Sequence, residues 1–307
     1  MRIIAVVVNW NGGEVNSRCL TSLGLQGAAL ERVVFVDNAS SDGSRELVAR
    51  TFPKVEIIDT GANLGYGGGN NVGFARALAL GAEAVLVVNN DVTFERGAVA
   101  GLARALAADA TVGIVGPRVL LRDEPHKVWA AGGALTWTQN LTTLRGFCEL
   151  DGAEWQRELD VDYLAGCALL MKREVLEKLG GFDDSYFAYT EDVDLGLRAK
   201  QAGWRSRCIG SIAAFHAPSS STGGGYNPRR KYMMGVNSVR FLRRWGGARA
   251  WTSFVVYDVL TLPLLLLAGL FRGRTKAVLA KALGIFDGFR GKHIDAATVQ
   301  PGSHWLW

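Results

Sequence analysis

Cysteine is scarce and scattered. Cys19, Cys148, Cys167 and Cys208 form no C-x-x-C pair. That spacing argues against a zinc ribbon or a disulfide scaffold and fits a reducing compartment. Proline is also rare, at 7 of 307 residues, and the 38 glycines follow no fixed period. Collagen-like and solenoid architectures are therefore excluded, and no internal repeat is visible. Charged residues make up 21% against 49% hydrophobic, too apolar for a chain whose main state is disorder. The opening run Ile3–Val8 is short and stops at Asn9, so the layout of a signal peptide is not expected.

What charge there is lies unevenly. The formal net charge is +5. Residues 227–292 hold 13 Lys/Arg and 2 Asp/Glu, a net of +11, and Asp295 is the one charged residue after them. Residues 1–226 then carry a net of −5. The basic part contains an apolar stretch, Phe254–Phe271, interrupted by Asp258 and Pro263. Basic residues beside such a stretch read as a membrane-surface anchor facing anionic lipid. A buried helical pair, as at a homodimer contact, is the other reading. Nucleic acid is not expected, because the basic residues accompany aliphatic ones without a stacking motif.

Short Val/Ile runs at Ile3–Val8, Val33–Val36, Val55–Ile58, Val85–Val88 and Val112–Val115 suit buried parallel strands. Helical spacing fills Ser44–Thr51, Asn71–Leu80 and Arg96–Ala107 between them. This alternation predicts an α/β fold, a mostly parallel sheet flanked by helices with right-handed crossovers. The pattern loosens after residue 116. Trp129–Leu150 suggests irregular or antiparallel strands, while Arg173–Leu179, Asp192–Gln201 and the basic Arg229–Trp245 look helical. The expected organisation is a catalytic domain over 1–226, with halves at about 1–116 and 117–226. A basic helical appendage over 227–307 follows.

Ligands of an open parallel sheet bind beyond the carboxyl ends of its strands. Those ends are polar here: Asn9-Trp10-Asn11-Gly12, Asp37-Asn38-Ala39-Ser40, and Asn89-Asn90-Asp91. Asp37 suits a base N–H or ribose hydroxyls, or serves as a turn residue; Asp42 reads as a loop or N-cap residue. Asp91 suits a divalent cation on a diphosphate, or caps a turn. The run Asn63-Leu64-Gly65-Tyr66-Gly67-Gly68-Gly69-Asn70 opens a helix and could receive phosphates or sugar hydroxyls. It fails the dinucleotide fingerprint, since Asn70 stands where the third glycine belongs and no acid follows at the required distance.

The densest acidic patch is Phe182–Arg198. Thr190 could cap a helix whose first turn holds Glu191, Asp192 and Asp194. Alternatively, clustered carboxylates raise one another's pKa and supply a general base, with the neighbouring rings stacking on a sugar. His216 is a satisfied core residue, or a metal ligand partnered by Asp91.

Taken in order, these motifs resemble the family-2 glycosyltransferases, and more closely their bacterial rhamnosyltransferase-like branch. The likeness also draws on Gly166–Arg173, Gly181-Phe182-Asp183, Glu191–Leu195 with Arg198, and Gly203-Trp204, and covers roughly residues 3–240. It implies the nucleotide-sugar-binding GT-A fold. It implies that Asn9, Asn11 and Asp37, with Asn63, Gly65, Tyr66, Gly68, Asn70 and Asn90, hold the donor. Asp91 matches the last acid of the D-x-D signature, with Asn89 in place of the first. With His216 it would hold Mg²⁺ or Mn²⁺. Asp192 matches the catalytic base, with Glu191 the alternative. Gly166, Cys167, Tyr189 and Trp204 would face the acceptor. The loop Gly223–Gly225 with Arg229, Arg230 and Lys231 would close over the diphosphate.

The resemblance further implies inverting transfer of one sugar, rhamnose from dTDP-rhamnose ahead of a UDP sugar. The acceptor would be a glycan or lipid-linked glycan, met in the cytoplasm at the inner face of the cell membrane. The processive synthases' Q-x-x-R-W signature is missing, and Val236-Asn237 stands where the branch often has Arg-Asn. A sugar nucleotidyltransferase, which would release pyrophosphate, and a non-catalytic carbohydrate-binding protein are the alternatives.

Overall fold

The computed structural model describes residues 1–138, 141–218 and 226–307. The first half alternates strand and helix: β1 (Ile3–Asn9), α1 (Val15–Gly24), β2 (Arg32–Asp37), α2 (Ser44–Thr51), β3 (Glu56–Asp59), α3 (Gly65–Ala79) and β4 (Ala84–Asn89). Next come β5 (Val92–Phe94), α4 (Ala98–Ala108), β6 (Val112–Leu121), β7 (Val128–Ala130), β8 (Gly133–Leu135), β9 (Thr142–Leu144), β10 (Glu158–Val161) and β11 (Ala168–Lys172). Then follow α5 (Arg173–Leu179), α6 (Glu191–Gln201) and the long β12 (Arg205–His216). The remainder is helical: α7 (Pro228–Trp245), α8 (Ala248–Phe254), a π-helical turn (Val255–Val259), α9 (Leu262–Arg272), α10 (Thr275–Phe289) and α11 (Ala296–Val299).

Among the described residues the main sheet runs β10-β12-β6-β11-β4-β1-β2-β3, with β5 added to β12 and β7 to β6. β1, β2, β3 and β4 are parallel, as the alternation predicts. β11 is antiparallel to both β4 and β6, and β12 is parallel to β6. The expected division at 116/117 falls inside β6, so both halves share one sheet.

The Val/Ile runs form strands because both sheet faces are covered. Ile3, Ala5 and Val7 of β1 pack with Leu20 and Leu23 of α1 and Leu102 of α4. Ile4 and Val6 point the other way, toward Phe74 and Ala77 of α3. Each side chain so buried contributes about 1.5–3 kcal/mol. A third cluster joins Tyr163, Tyr186 and Val193 to Val239, Phe241 and Leu242 of α7, Phe254 of α8 and Ile285 of α10. The helices beyond residue 226 therefore share a core with the segment that carries the acidic patch.

The glycine run opens a helix, as the sequence suggests, but its glycines pack inward. Gly65, Gly67, Gly68 and Gly69 are buried in the first turns of α3. Gly65 has φ +75°, and a Cβ there would strike the Phe187 carbonyl. A Cβ on Gly69 would come within 2.9 Å of Val8 Cγ1, and one on Gly73 would collide with Val6. Small residues here let α3 lie close on the sheet. Thr190 is a correction to the expected cap. It precedes α6 with φ +82° and makes no side-chain capping bond.

Candidate active site

Parallel register delivers polar residues to one sheet edge. Asn9 lies opposite Asp37, and Val8 opposite Asn89, at the carboxyl ends of β1, β2 and β4. Asn9 is fully buried, and its side-chain amide donates to Asp37 Oδ1 (2.8 Å), Ser40 Oγ (3.0 Å) and Ser44 Oγ (2.8 Å). Its Oδ1 accepts from Gly12 N–H and from the Asn90 amide, both at 3.1 Å. Asp37 Oδ2 accepts from Ser40 N–H at 3.0 Å. Asn9, Asp37 and Asn90 thus form a buried bracket between two loops. Asn11 is the exposed member, with Oδ1 accepting Ser41 N–H at 2.8 Å. Asp42 is the loop residue the sequence suggests, accepting from Gly13 and Ser44 N–H groups.

Asn38, which sequence reasoning missed, joins this bracket to α3. Its amide donates to the Gly65 carbonyl at 2.8 Å and to Asn63 Oδ1 at 3.3 Å. Asn63 Oδ1 also accepts Gly65 N–H at 2.9 Å, and the Asn70 amide donates to the Tyr66 carbonyl at 2.9 Å. Gly68 lies beneath Asp184 and Leu64. Buried polar groups satisfied in this way fix loop shape.

Asp91 and His216 meet at the same edge. Asp91 Oδ1 lies 3.2 Å from His216 Nε2, and both side chains are buried. β12 pairs with β5 immediately after Asp91, with His216 opposite Val92, which fixes the pair. Two further residues build the pocket without any signal in the sequence. Arg122 Nη2 donates to the Asp91 carbonyl at 3.1 Å, and Trp129 meets the His216 ring edge-on at 4.4 Å between centroids. Two donors on an octahedral ion with bonds of about 2.1 Å stand about 3.0 Å apart. Asp91 Oδ1 and His216 Nε2 fit that edge, as carboxylate and imidazole suit Mn²⁺. Among the described residues no cluster of three or more such side chains exists.

Glu191 and Asp192 open α6. Asp192 is half-buried; its Oδ2 accepts Gly166 N–H at 2.9 Å and its Oδ1 accepts Val193 N–H at 2.9 Å. Burial pushes its carboxyl up. Glu191 is buried, and Oε2 has no hydrogen-bond partner among the described residues. Burial, and then the Asp192 charge beside it, holds the Glu191 carboxyl well above the usual range. Tyr66 donates its hydroxyl to the Gly166 carbonyl at 2.8 Å, so one residue, Gly166, ties both Tyr66 and Asp192. The Cys167 thiol is pushed up by burial and then by the charges of Asp91 and Asp192. Its carbonyl accepts Asn89 N–H at 2.9 Å, which ties this segment to the end of β4.

On the far side, Arg230 lies over the Tyr189 ring at 5.0 Å and Lys231 over Tyr226 at 5.0 Å. Burial first, then Lys281 and Arg230, lower the Lys231 amine to about 8. Arg229 N–H is capped by Asn227 Oδ1 at 3.0 Å. The Gly223–Gly225 loop lies outside the described residues. Trp204 is not brought to this edge. It precedes β12, the full length of that strand from His216, beneath Lys172 at 5.5 Å.

The glycosyl transferase family 2 model matches residues 4–180. The chain belongs to that family. It is 32% identical to the N-acetylglucosaminyl-diphospho-decaprenol L-rhamnosyltransferase of Mycobacterium tuberculosis, over 71% of this chain and 76% of that one. That places this transferase in the rhamnosyltransferase branch. Solved structures share its GT-A fold. GalNAc-T7 with UDP, GalNAc and Mn²⁺ superposes with a TM-score of 0.64 at 13% identity, over 83% of this chain. This transferase spans half the length of that protein. The mannosyltransferase PcManGT from Pyrobaculum calidifontis, in complex with GDP-Man and Mn²⁺, gives 0.58 at 17% identity, over 95% of this chain and 88% of that one.

One position outside the matched segment holds the turn that precedes Glu191. Asn237 of α7 is fully buried. Its amide donates to the carbonyls of Tyr186 (3.0 Å), Ala188 (2.9 Å) and Tyr189 (2.8 Å). The turn it grips holds three non-glycine residues at positive φ: Phe187 at +62°, Tyr189 at +69° and Thr190 at +82°. Such backbone costs about 1–3 kcal/mol per residue and persists only where its surroundings enforce it. The sequence signal was the Asn of Val236-Asn237, noted only as half of a departure.

Proposed function

We propose that this glycosyltransferase moves a single rhamnose, with inversion, from dTDP-rhamnose to a lipid-linked glycan at the inner face of the cell membrane. The relative from Mycobacterium tuberculosis is named for a diphospho-decaprenol acceptor, which supports that acceptor class. The observation that carries the reading is Asp192, held by the Gly166 N–H, on the segment whose next carbonyl, that of Cys167, accepts Asn89 N–H at 2.9 Å beside the Asp91–His216 pair.

Asp192 is the base. It is the more exposed of the two acids, and the Gly166 N–H aims it. It takes the acceptor hydroxyl proton as that oxygen attacks the anomeric carbon from the face opposite the diphosphate. Glu191 stays protonated behind it, so the pair carries one charge and Asp192 keeps its proton affinity. Asn11 and the bracket around Asn9 and Asp37 receive the nucleoside, and Asn63, Gly65, Tyr66, Gly68, Asn70 and Asn90 shape its surroundings. Arg229, Arg230 and Lys231 meet the diphosphate. Gly166, Cys167 and Tyr189 border the acceptor. Trp204 is left out because it stands at the other end of β12. Asp91 and His216 would hold Mg²⁺ or Mn²⁺, which when bound neutralises the leaving diphosphate.

The test is a thermal-shift screen against dTDP, UDP, GDP and ADP, each with and without Mn²⁺. A metal-dependent rise with dTDP is expected. A rise with another nucleotide alone would overturn the donor, and no rise with any would overturn the transferase chemistry as drawn. Pyrophosphate release from a nucleoside triphosphate would favour the nucleotidyltransferase instead.

A further inference from the structure

The segment Ala248–Arg272 forms 25 helical residues of mean hydropathy 2.2, yet only 17% of its apolar window is buried. A narrow seam of it is buried and most of the rest is exposed, Val255, Tyr257 and Leu270 included. Val256, Leu260, Leu264, Leu267 and Phe271 recur at spacings of four, four, three and four, and all are exposed; Phe271 is 86% exposed and Leu264 70%. Phe254, Asp258 and Gly269 lie on the buried side. Asp258 is paired with Lys281 of α10, both buried, and Gly269 packs against Thr275. The π-helical turn brings Asp258 to that partner.

We propose that this segment lies flat in an anionic lipid bilayer, its outer stripe sunk among the acyl chains and its inner stripe clamped to α10. A spanning helix would need apolar residues all round, whereas this one commits one side to a buried ion pair. Charge selects the lipid. Arg249 stands at one end, and Arg272, Arg274 and Lys276 at the other, within a region of net +11. The seat is also tied to the catalytic edge. Tyr226 is held between Arg274, at 4.0 Å, and Lys231, at 5.0 Å, and Arg230 of the same helix covers Tyr189, two residues before Glu191. A lipid-diphosphate acceptor would therefore present its head group beside α7. This deepens the membrane part of the function proposed above and rests on it.

The experiment is flotation of the full chain with vesicles of phosphatidylcholine containing 30% phosphatidylglycerol, or of phosphatidylcholine alone. Flotation with the anionic vesicles only, released by high salt or alkaline carbonate, is expected. The double variant Leu264→Glu/Leu267→Glu should lose at least tenfold in vesicle binding while keeping its melting temperature. Its transfer to a short-chain, water-soluble diphosphate acceptor should be unchanged, and transfer to the acceptor in vesicles should fall. Resistance to carbonate would overturn the proposal in favour of a span. A stable dimer that dissociates in the variant, without flotation of the parent, would overturn it in favour of a second copy. Loss of transfer to the soluble acceptor by the parent chain would instead count against the transferase reading, leaving the flotation result to stand alone.

Discussion

Replacing Asn237 by alanine removes one amide: the Ala188 and Tyr189 carbonyls lose this donor, while the Tyr186 carbonyl keeps the Ala188 N–H at 2.7 Å. An unmet buried hydrogen-bonding group costs about 1–3 kcal/mol. The amide has two hydrogens for three acceptors, so about 2–4 kcal/mol is the expected loss of stability. At roughly 2 °C per kcal/mol for a chain of this size, the melting temperature should fall by about 4–8 °C. The strained residues Phe187, Tyr189 and Thr190 then relax, and Glu191 follows directly. Turnover should therefore drop more than tenfold, with a smaller change in donor KM, because the nucleoside bracket around Asn9 is untouched. Asn237→Asp should be worse than alanine, since a carboxylate would face three carbonyl oxygens. Thermal melts and steady-state transfer kinetics read both effects. A variant within about 0.5 kcal/mol of the parent, with full turnover, would refute the idea that this side chain enforces the turn.

Asp192→Asn should abolish transfer while the dTDP thermal shift persists; full activity would remove Asp192 as the base. Gly73→Ala should cost about 1–3 kcal/mol by overpacking, because the new methyl meets Val6, and chemical denaturation would report it. The Glu191 carboxyl is raised in the folded state, so above the ordinary carboxylate range the native chain binds more protons than the unfolded one. Stability from this group is present at low pH and is lost as pH rises through its raised value. Glu191→Gln should flatten that part of the stability curve; an unchanged slope would show that Glu191 is not its source. Asp91→Ala and His216→Ala should each remove the Mn²⁺ dependence of the nucleotide-induced thermal shift.

The sheet was legible where both faces are buried. Ile3–Val8 and Val85–Val88 read as strands because a continuous aliphatic run has few other places to go. α2 and α5 came out at their expected bounds, since their caps are local. The glycine run was legible as the opening of a helix, but not its close approach to Val6, Val8 and Phe187, which lie far from it in sequence. Long-range partners were not legible. Nothing near Arg122 or Trp129 announces His216, and Asn237 reaches across 48–51 residues of sequence to its carbonyls.

α7 and α10 approach so closely that a methyl on Gly284 would strike the Tyr232 carbonyl, and one on Gly235 the Lys281 carbonyl. The apolar segment 248–272 is therefore an excursion between two helices that cannot part. A chimaera that swaps the whole tail at residue 227 would carry Asn237 away with it and leave the catalytic turn unsupported. One that exchanges only 248–272, keeping Lys281 matched to an acid at position 258, would probe the proposed lipid seat while leaving Asn237 and the turn it holds in place.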